Sequence, residues 1–295
     1  MFTQNNYYQA FSSQDARKSS EISPQDLLES LDIDTAVIFK DVQEALKTGP
    51  LLSRKEQDRC NAIIQHPRLV EWLRQRYGGL LLINGSSKAM NATTSATSLI
   101  AAYIIDIVET VAERGSVYCT AWFCGQHRSV ERDPDASVPM LLCNLIGQLI
   151  TQCRDFRNFC IKPFDLESVK KGDVDGLCDI LEEFSDHMPR CSLLICIIDW
   201  ISCIDDYDRH DDLACLVERL RQMSTKPSSR GLVFKVLLTN PGGGFQSMRA
   251  IPKKDMLIMP DYIIGTGLPP DFPQMVIKEA VEDASGIESE DKDDY

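Results

Sequence analysis

Apolar positions along this chain change period several times, and each change marks the passage from a helix to a strand or back. Ser23, Pro24 and Asp26 supply an N-cap, a first-turn proline and an early acid for a helix through Leu27, Leu28 and Leu31. A second helical stretch runs from about Thr35 to Lys47 through Val37, Ile38, Val42, Ala45 and Leu46, and Gly49 with Pro50 closes it. Ser53 and Glu56 have capping-box spacing at the head of a third helix, with Leu51 placed as its staple. Pro67 opens a fourth through Leu69, Val70, Trp72 and Leu73.

Leu80 to Ile83 is then wholly apolar, as in a parallel strand buried on both faces, and Gly85 ends it. From Ala96 the residues Leu99, Ile100, Tyr103, Ile104, Ile107, Val108 and Val111 return to helical spacing. Ser116 to Phe123 predicts a second strand, Pro139 to Ile150 a helix with one broad apolar face, and Arg154 to Asp175 a linker. A helix over Val174 to Met188 leads into a third strand, Cys191 to Asp199. Asp211 to Met223 reads as a helix, Gly231 to Thr239 as a fourth strand, and Leu257 to Met259 with Tyr262 to Ile264 as a short fifth. One further helical turn precedes an acidic tail. Strand and helix alternate from Trp72 to Ile264, which predicts an α/β fold, a doubly wound and mainly parallel five-stranded sheet behind an N-terminal helical extension.

Composition narrows the partners. The 295 residues are 43% hydrophobic with a formal net charge of −13, which argues against a nucleic-acid groove or an anionic membrane surface as the main partner. Much of that charge lies beyond Lys278, in Glu279, Glu282, Asp283, Glu288, Glu290, Asp291, Asp293 and Asp294. The eleven cysteines sit mostly inside apolar runs without CxxC spacing, as small hydrophobes in a reducing compartment. Met1 to Ser20 contains no apolar core of signal-peptide length, so the expected location is the cytoplasm.

The strand, loop and helix from Leu80 to Tyr103 form the setting of a phosphate-binding loop, whose GxxxxGK[ST] pattern places amides, a lysine and a hydroxyl around phosphates and magnesium. Counting from Gly85 puts Met90 at the second glycine, Asn91 at the lysine and Ala92 at the hydroxyl. The candidate nucleotide-binding residues are Gly85, Ser86, Ser87, Lys88, Asn91, Thr93 and Thr94, with Lys88 folding back and Thr93 or Thr94 replacing the hydroxyl. Asp199 ends an apolar strand in the manner of a Walker B acid and is the candidate magnesium ligand. A cysteine hydrolase built from Cys124 or Cys203 with His127 or His210 is a separate, weaker reading.

The order of these segments resembles the STAND class of P-loop NTPases, the NACHT-like switches. The matching pieces are the strand ending in Asn84 and Gly85, the strand ending in Phe123, the leucine and glutamine helix Met140 to Ile150, the strand ending in Asp199, and Phe234 to Thr239. The resemblance implies a degenerate P-loop NTPase-like domain over 77–266, preceded by a disordered arm (1–22) and a helical segment (23–76) and followed by an acidic tail (267–295). It marks Thr239 and Asn240 as sensor-like and the position three past Asp199, here Ser202, as that of a second acid. With the loop lysine, second acid and sensor arginine replaced, the expected function is a non-catalytic or very weakly active regulatory module that binds unknown protein partners, self-association remaining open. The alternative is a switch that holds Mg-ATP or Mg-GTP and hydrolyses it slowly; no catalytic residue is assigned, and no cofactor firmly.

Overall fold

The computed structural model describes residues 22–86, 95–112, 117–128, 136–153, 156, 163–205, 210–242, 251–263, 265 and 272–286. Four helices come first: α1 (Pro24–Leu31), α2 (Val37–Thr48), α3 (Arg54–Ile64) and α4 (Pro67–Arg74). The sheet then alternates with helices as β1 (Gly79–Asn84), α5 (Ala96–Ala112), β2 (Val117–Phe123), α6 (Val138–Gln152), α7 (Pro163–Lys171), α8 (Val174–Asp186), β3 (Leu193–Asp199), α9 (His210–Thr225), β4 (Val233–Asn240), β5 (Met256–Ile258) and α10 (Phe272–Ser285).

The five strands pair in the order β2-β3-β4-β1-β5, and every pairing is parallel. This is an α/β fold compatible with a doubly wound sheet. Side chains alternate across the strands, so each strand feeds two cores. Leu80, Leu82, Cys196, Ile198, Val236 and Leu238 face α6, α8 and α9, whereas Leu81, Ile83, Ile195, Ile197 and Leu237 face α5 and the helices packed with it. That double burial is why the strands read as unbroken apolar runs.

Register brings the carboxyl ends together: Asn84 lies opposite Asn240, and Ile83 opposite Thr239. The chain leaves β1 towards β2 at one edge but passes from β4 across β1 to β5 at the other. The carboxyl edge beside β1 and β4 is therefore the place where an open α/β sheet leaves a crevice.

Edge strand β2 is closed by α6. Gln152 accepts from the Cys119 N–H (3.3 Å) and donates to the Cys119 carbonyl (2.6 Å), and Gln148 does the same at Ala121 (2.8 and 2.9 Å). Two carboxamides one helical turn apart thus replace a neighbouring strand.

Several sequence expectations are corrected. Residues 163–171, read as linker, form α7. The single helical turn expected before the tail is the fourteen-residue α10, with Ile277, Ala280 and Val281 fully buried against α4 and α5. Leu51 is no staple, being 81% exposed, while Leu52 packs inward. The fifth strand stops at Ile258, and Tyr262 and Ile263 add nothing to it. Lys235 on β4 is fully buried, donates to the Leu73 carbonyl at the end of α4 (2.5 Å), and its amine is pushed down to about 7 by burial.

Candidate functional site

The carboxyl edge collects residues from β1, β3 and β4 around the first turn of α5. Asp199, at the end of β3, is 1% exposed. Its Oδ2 accepts from the Ser98 hydroxyl (2.7 Å) and its Oδ1 from the Thr239 hydroxyl. Thr239 in turn accepts from the Trp200 amide (3.1 Å). Burial pushes the Asp199 carboxyl up to about 6, although the hydroxyls of Thr239 and Ser98, the Trp200 amide and the charge of Arg128 all favour its ionised form.

Behind the acid the backbone is strained. Trp200 adopts a left-handed conformation (φ 55°), which an L residue tolerates only when its surroundings enforce it. Arg128 lies 4.1 Å over its ring and donates to the Gly125 carbonyl (2.6 Å). A Cβ at Gly125 would meet the same ring at 2.6 Å, so only glycine allows this closeness.

Ser95 precedes α5, and its hydroxyl accepts from the Ser98 amide (3.1 Å) while bonding to the hydroxyls of Thr97 (2.9 Å) and Ser98 (3.0 Å). The first amide of α5, Ala96, donates to a carboxylate from the N-terminal helices, Glu56 Oε2 (3.3 Å). Ser53 accepts from the Glu56 amide (3.3 Å) as the capping spacing predicts, yet the Glu56 side chain turns to α5. Arg59, one turn along α3 and 1% exposed, donates to the carbonyls of Gly85, Pro260 (3.1 Å) and Asp261 (3.1 Å).

Of the sequence candidates, the structure brings Gly85, Asp199, Thr239 and Asn240 together. Gly85 donates from its amide to the Asn240 carbonyl (2.8 Å), and Ser86, with φ 51°, donates its amide to the Asn84 side chain (3.0 Å). Ser202, at the expected place of a second acid, donates to the Asn240 side chain (2.7 Å). Ser87, Lys88, Asn91, Thr93 and Thr94 lie outside the described residues, as do Met90 and Ala92. Among the described residues, the α5 hydroxyl that meets Asp199 is that of Ser98, well beyond the position counted from Gly85. Sequence reasoning missed Ser98, Glu56 and Arg59. For Ser98 a signal existed in the run Ser95, Thr97, Ser98 at the head of an apolar helix; for the other two, on a separate helix, there was none.

The histidines of the cysteine reading each face a carboxylate. His127 pairs with Asp41 (3.0 Å) and His210 with Asp205 (3.1 Å), and burial pushes the Cys124 thiol well up and that of Cys203 to about 12. Such thiols are poor nucleophiles.

Among the described residues, few oxygens at this edge suit a magnesium nucleotide. Asp199 and Ser98 are the right donor types, each carboxylate oxygen already accepts one hydroxyl, and among the described residues no group of three or more His, Cys, Asp or Glu could hold a metal. A phosphate chain beside α5 would face two carboxylates, Glu56 and Asp199. An open cavity of about 800 Å³ lies at the opposite, amino edge, beside Trp72, Gly78 and Leu232. Two of its cations are engaged, Arg221 by Glu218 and Lys226 by Glu182 and Asp186. No family model, curated protein or solved structure matches this chain. No helix among the described residues is long and apolar enough to cross a membrane.

Proposed function

We propose that this chain is a non-catalytic P-loop NTPase-like module, similar to the core of a STAND switch, that acts through protein partners and not through nucleotide turnover. The observation carrying this reading is the closure of Asp199: both its oxygens accept hydroxyls from Ser98 and Thr239 in a nearly dry site. The P-loop kinship is supported by a hydroxyl on the first turn of α5 bonded to the acid that ends β3, the pair that shares magnesium in such enzymes. Read back from Ser98, the second glycine and the lysine of the pattern fall on Ala96 and Thr97, so this register too lacks the cation. Ser202 and Asn240, in place of the second acid and beside the sensor position, are bonded to each other. Phosphoryl transfer depends on stabilising charge, and each of these replacements removes some of it.

A second reading, a slow nucleotide switch, draws on that same Ser98 and Asp199 pair. Denaturing the purified protein and resolving the released small molecules by anion exchange, alongside a turnover assay with MgATP and MgGTP, separates the two. The first reading expects neither released nucleotide nor turnover above a buffer control. Stoichiometric nucleotide, or turnover that disappears in Asp199→Ala, overturns it.

A further inference from the structure

We propose that Glu56 is a built-in occupant of the candidate site: a carboxylate carried by the N-terminal helices that stands where the phosphoryl group of an external ligand would sit, and keeps it out. This rests on the P-loop-like reading of the carboxyl edge. Three observations from α5 and α3 meet here. The first amide of a seventeen-residue helix is a donor with no partner inside that helix and lies at its positive end. Ala96 gives that amide to Glu56 Oε2, from a residue forty positions earlier. The Arg59 guanidinium is 1% exposed and fixed on three carbonyls, while its Nε has no hydrogen-bond acceptor among the described residues and faces Glu56 Oε1 at 3.5 Å.

A buried guanidinium requires a counter-charge, and Glu56, 7% exposed, supplies it from the same helix. Among the described residues, the helix end and Arg59 are thus both answered by Glu56. An incoming phosphoryl group would have to displace Glu56 or lie against its charge. Neutralising Glu56 removes the anion that the guanidinium and the Ala96 amide share, which is the condition for an external one to enter.

The test uses the full chain and inorganic pyrophosphate. Titration calorimetry on the wild type and Glu56→Gln, the latter checked for folding by circular dichroism, is expected to show at least about tenfold tighter binding in the variant. A folded variant that gains nothing overturns the proposal. Should Glu56→Gln not fold, amide exchange in the wild type decides. The Ala96 N–H is expected to exchange at least about tenfold more slowly than an open first-turn amide and to be unaffected by pyrophosphate. Exchange at the open rate overturns the proposal as well. Neither failure touches the reading of a non-catalytic module, which falls only if the wild type itself retains or turns over nucleotide.

Discussion

Burial works against the charge of Asp199. With the unfolded carboxyl near its ordinary 3.8 and the folded one at about 6, the folded state binds the proton more tightly between those values. This residue's contribution to stability therefore falls as pH rises through that window and is level above it. A carboxamide at this position cannot titrate, so Asp199→Asn removes that slope. The variant should match the wild type near pH 4 and exceed it by about 1–3 kcal/mol at pH 7.5. Urea denaturation of both proteins at the two pH values measures the difference, which cancels the titration of every other acid. An equal loss at both pH values would show that the carboxylate form is favoured by its setting.

At the scale of elements, the sheet edge is the most exposed to failure. Gln148 and Gln152 satisfy four backbone groups of β2, so replacing both with alanine leaves those groups to pair with water or with another chain. The double variant should lose about 2–5 kcal/mol in denaturant unfolding and scatter light at concentrations where the wild type stays clear. Unchanged stability would mean that the carboxamides merely lie beside the strand. The central strands were legible because double burial leaves uninterrupted apolar runs. α10 was not, since Glu279, Glu282 and Asp283 read as the start of the acidic tail. Its apolar stripe of Ile277, Ala280, Val281 and Ala284 nevertheless has helical spacing, and Arg74 answers the acids at Glu279 (2.9 Å) and Asp283 (3.4 Å). α7 was hidden for a different reason, its short amphipathic pattern being too weak to stand out from a charged segment.

Across the whole molecule, parallel register carries Asn84, Asp199, Thr239 and Asn240 to one edge, and strand-terminal polar residues after apolar runs announced that edge in the sequence. What closes it was announced only in part, by Thr239 and by the polar run at the head of α5. Ser98 lies past the loop register counted from Gly85, and Glu56 and Arg59 reach the edge from a helix that no local motif connects to it. The N-terminal helices are therefore part of the candidate site, and the capping-box spacing of Ser53 and Glu56 concealed it by offering the acid a nearer partner.

If the protein's own side chains satisfy the carboxyl edge, a thermal melt of the wild type across rising MgATP will show it. A ligand at a hundred times its dissociation constant adds about 2.7 kcal/mol to the folded state, a shift of roughly 4 °C for a chain of this size. No saturable shift is expected up to millimolar MgATP. A saturable rise of that size, lost in Asp199→Ala, would contradict it.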